Sequence, residues 1–149
     1  MTEGTFELGT DGPSLILVGV DGSRTSLRAA SYAGGLARRE GCPLAVVYAT
    51  KVPVAAGFDA GAGMAMAIAS DGIARELQEL IDDRAPSLGV AVTLYVDSGD
   101  PFSVIKRFAE ELRADAVVVG ASESAGHRIV GSLAPRLVKA GRWPVTVVP

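Results

Sequence analysis

The 149 residues are 48% hydrophobic and 21% charged, enough apolar matter to close one core and too much for a disordered chain. Fourteen basic and 17 acidic residues leave a net charge of −3 with the cations scattered, which argues against a nucleic-acid surface. A single cysteine, Cys42, excludes an internal disulfide and agrees with a reducing cytoplasm.

No apolar run approaches the length that spans a bilayer. The acidic, glycine-rich opening lacks a basic-then-apolar leader pattern, so residues 1–13 are expected to form a flexible tail ahead of one domain over 14–149. Leu15 to Val20 is the continuous apolar run of a strand buried on both faces, and Asp21-Gly22-Ser23 leads out of it. From Arg24 to Glu40, Leu27, Ala30, Ala33 and Ala37 recur at helical spacing, with Gly41 as the stop. Leu44 to Ala49 gives a second strand. The stretch from Lys51 to Gly72 is rich in small residues and reads as mobile at its start. Its Ala/Met end can already belong to the helix that runs from about Ile73 to Ala85, and Met64 and Met66 read as packing residues rather than a functional box.

Val90 to Val96 is a third strand. Asp100-Pro101 is a strong helix start, because the aspartate caps open amides and proline fits the first helical position; that helix runs to about Arg113. Ala116 to Val119 is a fourth strand, Ser132 to Lys139 a short helix and Pro144 to Val148 a last strand, with Trp143 packed at its mouth. Apolar strands alternating with helices predict an α/β fold with a parallel sheet covered on both faces.

In such sheets ligands bind beyond the carboxyl ends of the strands, where strand order reverses. Two loops qualify. In Val20-Asp21-Gly22-Ser23, Asp21 can accept hydrogen bonds from a ligand's amine or hydroxyls, while Asp21 and Ser23 are equally suited to making the turn and capping the next helix. In the loop from Gly120 to Ser132, Gly120 lets a ligand approach the backbone, and Gly131-Ser132 sets amides and a hydroxyl at a helix start, which favours an anion. The loop is neither a Walker A sequence nor a Gly-x-Gly-x-x-Gly fingerprint. His127 reads as a solvated loop residue, and one histidine with one cysteine cannot build a zinc site. No Gly-x-Ser-x-Gly elbow supports a Ser–His–Asp hydrolase. Lys51, Arg75 and Arg128 are indistinguishable from ordinary surface charges.

Strand one running into Val20-Asp21-Gly22-Ser23, Gly99-Asp100-Pro101 before the third helix, Ala114-Asp115-Ala116-Val117-Val118-Val119-Gly120, Gly131-Ser132 into the fourth helix and the Pro144-Val145-Thr146-Val147-Val148 finish together resemble the universal stress protein family. The resemblance spans nearly the whole chain. It implies a three-layer sandwich around a five-stranded parallel sheet of order 3-2-1-4-5. It also implies a homodimer paired along Pro144 to Val148, for which the aggregation hazard of an open apolar edge is an independent reason.

Many members of that family bind ATP through Gly-x2-Gly-x9-Gly-Ser/Thr. Asp21 carries over directly, Ala49 by position at the end of strand two, and Gly120, Gly131 and Ser132 as the outer glycines and the hydroxyl. The expected binding set, with neighbours, is Val20, Asp21, Gly22, Ser23, Ala49, Gly120, Ser122, Gly126, Gly131 and Ser132. Glu123 stands at the second glycine position, and the span from Gly120 to Gly131 is two residues shorter than the signature. Gly126 restores some turn freedom at another place. A carboxylate about 4 Å from a phosphate charge costs about 1 kcal/mol in bulk water and about 4 at an effective dielectric of about 20.

The implied protein is a cytoplasmic, dimeric stress-response or signalling protein with a degenerate phosphate loop and no robust catalysis. It would bind ATP, or AMP or cyclic AMP, which suit a shortened loop better, with Mg²⁺ only beside a triphosphate and no nucleic-acid or membrane partner. The alternative is a dimeric interaction module of the same fold that binds no nucleotide. An enzyme of the adenine-nucleotide alpha-hydrolase type would need Ser-Gly-Gly-x-Asp-Ser at strand one, which this chain lacks.

Overall fold

A computed structural model describes residues 12–50, 60–122 and 133–149. The elements in chain order are β1 (Ile16–Val20), α1 (Arg24–Glu40), β2 (Leu44–Thr50), α2 (Ala60–Leu88), β3 (Val92–Ser98), α3 (Pro101–Glu111), β4 (Ala116–Gly120), α4 (Leu133–Ala140) and β5 (Val145–Val148). All strand pairs are parallel and the order is β3-β2-β1-β4-β5, as expected.

Central strands carry unbroken apolar runs because helices cover both faces. Alternate residues of β1, β2 and β4 serve different layers. Ile16, Val18, Val20, Val46, Tyr48 and Val118 pack with Ala29, Ala33 and Ala37 of α1 and Leu77 of α2. Leu17, Ala45, Val47, Val117 and Val119 pack with Val104, Ile105 and Ala109 of α3 and Leu137 of α4. Trp143 joins this second cluster, as its place before β5 led us to expect. Asp115 fixes the start of β1: its Oδ2 accepts from the amides of Ser14 at 2.6 Å and Leu15 at 3.1 Å. Cys42, 4% exposed, lies between α1 and β2, and burial followed by the charges of Glu40 and Asp115 pushes its thiol pKa up.

Four local expectations change. The buried stripe of α1 is Ser26, Ala29, Ala33, Gly34 and Ala37, so it is rotated from the predicted one; Leu27 and Ala30 sit at its flank. Small side chains there let the helix lie close on the sheet. β3 begins and ends two residues later than its apolar run, because pairing with Ala49 and Thr50 carries it through Asp97 and Ser98. α2 begins at Ala60, far ahead of Ile73, and continues past Pro86 to Leu88. A proline near a helix end removes one hydrogen bond while its φ stays helical. Met64, expected in the core, is 66% exposed. Residues 1–11, most of the expected tail, and 51–59, the start of the small-residue stretch, lie outside the described residues.

Candidate functional site

β1 and β4 are neighbours whose connections run to opposite sides of the sheet, so their tips part, and a cleft of about 510 Å³ opens there. The turn after β1 builds one wall. Gly22 adopts φ +84, which permits the reversal, and Ser23 caps α1 by accepting from the Ser26 amide at 3.2 Å. The Asp21 Oδ1 accepts from the Ser23 amide at 2.9 Å. The Asp21 amide donates to Ser26 Oγ at 3.3 Å, and that hydroxyl donates onward to the Ser23 carbonyl at 2.9 Å. Asp21 and Ser23 thus make the turn and the cap, and both also line the cleft.

Partial desolvation raises the Asp21 pKa, but hydrogen bonds from the Ser23 hydroxyl and amide and from Ser26 outweigh it and leave the carboxyl below its ordinary value. Asp21 is the single charged side chain among the described residues lining the cleft.

The opposite wall is the exit of β4. The Thr25 hydroxyl donates to the Ala121 carbonyl at 2.6 Å, and the Ala121 amide donates to the Val148 carbonyl at 2.8 Å. Gly120 has a role the sequence did not suggest. A Cβ there would lie 2.5 Å from the Thr25 carbonyl carbon and 2.7 Å from the Ser26 nitrogen. Its bare Cα admits the first turn of α1 against β4, so the close approach is made by the protein's own backbone. Gly19, Val47, Ala49 and Val119 form an apolar floor. From the far side of the sheet come Pro101 and Ile105 of α3 and Leu133 and Ala134 of α4.

Asp100 positions that side. Its Oδ2 accepts from the Ser103 amide at 3.1 Å, capping α3, and its Oδ1 accepts from Arg136 of α4 at 2.9 Å. The Arg136 guanidinium holds its pKa below the usual carboxylate range, outweighing the desolvation that raises it, and the Ser103 contacts add to the lowering.

Of the expected binding residues, Val20, Asp21, Ser23, Ala49, Gly120 and Ser122 line this one cleft. Gly22 does not; its α-carbon faces Ile73 of α2. Gly126, Gly131 and Ser132, like Glu123 and His127, lie outside the described residues. Reading the sequence missed Thr25, Ser26, Ile105 and Leu133. The available signal was Gly99-Asp100-Pro101, which starts α3 at the same end of the sheet. Among the described residues no group of three or more His, Cys, Asp or Glu could hold a metal, and no helix is long and apolar enough to cross a membrane. An apolar floor with hydroxyls and one carboxylate at its rim suits a flat ring bearing a hydroxylated substituent.

The model of the universal stress protein family matches residues 14–149. A universal stress protein of Methanocaldococcus jannaschii is 30% identical over 138 residues, covering 89% of this chain and 80% of its own. The crystal structure of a universal stress protein family member from Burkholderia pseudomallei superimposes with a TM-score of 0.74 at 27% identity, over 91% of this chain and 96% of that one. A crystal structure of a universal stress protein in complex with cAMP superimposes with a TM-score of 0.69 at 26% identity, over 92% and 97% of the two chains.

Proposed function

The chain belongs to the universal stress protein family, and from that premise we infer that its cleft takes an adenine nucleotide. The observation that carries this reading is the convergence of Asp21, Gly120 and Ser122 on one cleft where β1 and β4 part. The cAMP complex of a 26% identical family member supports the ligand class. In this reading the base lies on the Val47 and Ala49 floor against Ile105, and the ribose hydroxyls donate to Asp21. The phosphate points toward Ser122 and the segment from Glu123 to Ser132. Asp21 on the rim and Glu123 in the loop both disfavour a highly charged ligand. AMP or cyclic AMP is therefore favoured over ATP, and Mg²⁺ has a place only beside a triphosphate. We assign no reaction to the site. We further propose that the protein is a homodimer joined through β5, the sheet edge on which Val147 is 45% exposed.

The test begins with native purification and analysis of any nucleotide carried through. Calorimetric titration with ATP, AMP and cyclic AMP follows. Binding of AMP or cyclic AMP tighter than ATP is expected. Asp21→Ala should weaken it about tenfold or more, the loss of a hydrogen bond to a charged group being about 1.5–3 kcal/mol. Glu123→Gly should tighten ATP selectively. No heat with any of the three, and no nucleotide in the purified protein, would overturn the reading in favour of a dimeric interaction module.

A further inference from the structure

The two layers flanking the sheet treat their charges differently. On the α3/α4 side three arginines meet anions within the molecule, Arg107 with Asp97 and Glu111, Arg136 with Asp100, and Arg142 with Glu110, while Lys106 and Lys139 make no ion pair among the described residues. On the α1/α2 side the charges are sorted by helix. α1 carries four arginines and one glutamate, net +3. α2 carries five acids and two arginines, net −3. Arg24, Arg28 and Arg39 recur on the exposed face of α1, opposite the buried Ala29, Ala33 and Ala37. Arg24, Arg38 and Arg39 make no ion pair among the described residues, and Arg28 reaches only the Pro149 carbonyl oxygen at 3.4 Å. Among the described residues the one ion pair of α2 is the exposed Arg84–Asp83 contact of neighbours, and Glu76 and Glu79 make none there. Each helix also presents an apolar residue to solvent, Tyr32 at 51% and Leu80 at 43% exposed.

We propose that this layer docks a second copy of the same chain, with α1 of each copy lying against α2 of the other. The charge complementarity selects that occupant. A nucleic acid drawn to the arginines of α1 would be repelled by the five acids beside them, whereas a two-fold contact pairs both helices at once. Tyrosine and arginine are residues that anchor interfaces, and opposite fields steer the encounter. Because the pairs are exposed, the contact weakens as salt screens it. That separates it from the apolar pairing of β5.

The experiment is sedimentation velocity over a concentration series at low and high salt. It compares the wild type with Arg24→Glu/Arg39→Glu and with Glu76→Lys/Glu79→Lys, all four positions being exposed. Circular dichroism establishes that each variant is folded. The wild type should show an association step at low salt that high salt removes, doubling the mass of the species below it. Each charge-reversed variant alone should lose that step. Their equimolar mixture should regain it, since reversed α1 then faces reversed α2 in one contact while the unaltered α1 and α2 pair in the other. A wild type with no salt-sensitive step, a reversed variant that sediments like the wild type, or a mixture that fails to recover overturns the proposal. A labelled DNA duplex retained by the wild type and released by Arg24→Glu/Arg39→Glu, with self-association unchanged, would assign the arginines to a polyanion instead.

Discussion

A methyl group on Gly120 would press within 2.5–2.7 Å of the Thr25 and Ser26 backbone, which cannot yield as a flexible side chain does. Gly120→Ala should therefore destabilise the fold by about 1–3 kcal/mol, the usual range for overpacking, and should loosen the Thr25 bond to Ala121. A urea midpoint equal to that of the wild type would mean that α1 can lift from β4 without loss. Asp100 allows a sharper test, because Asn keeps the helix cap and removes only the charge. Its folded pKa lies below the unfolded value of about 3.9. Its ionised contacts thus stabilise fully above that value and are lost as pH falls through the lower, folded pKa. With the side chain 44% exposed and the pair screened by solvent, Asp100→Asn should cost under about 1 kcal/mol at neutral pH. The difference from the wild type should close in strongly acidic solution; a gap that persists there would mean the loss is not electrostatic.

Among elements, β5 shows how burial decides which substitution tests an edge. Val145 packs into the α3/α4 cluster, so a charge placed there would damage the core as well as any dimer. Val147 is exposed, and Val147→Lys acts on the edge alone. It should halve the sedimenting mass at high salt with the melting temperature little changed; an unaltered mass would move the dimer contact off β5. Element order, the parallel sheet and both caps, Ser23 and Asp100, were legible because continuous apolar runs and cap residues are local signals, whereas the strand order 3-2-1-4-5 was implied by the family resemblance alone. The extent of α2 was not. Its first turn, Ala60 to Gly63, is Ala and Gly alone, which carry no amphipathic stripe, so the pattern does not mark where the helix starts. The end of β3 was hidden for a related reason: Asp97 is polar in sequence, yet it is held in the strand by pairing with Ala49 and by Arg107.

For the molecule as a whole, the legible half of the site was the half written in turns. Asp21, Ser23 and Gly120 announce themselves by residue type, whereas Ile105 and Leu133 look like any core residue until the sheet brings α3 and α4 over the floor of the cleft. The long-range logic of a parallel sheet also bears on Cys42. The chain's sole thiol sits 4% exposed beneath the end of α1, and burial disfavours its reactive thiolate. Alkylation must wait for the protein to open. With an opening free energy of about 5 kcal/mol or more, the native thiol should react at least roughly a thousandfold slower than the denatured one. Timed mass spectrometry after adding iodoacetamide then becomes a clock for unfolding, built in without a label. Rapid modification of the native protein would instead reveal fraying where α1 hands over to β2.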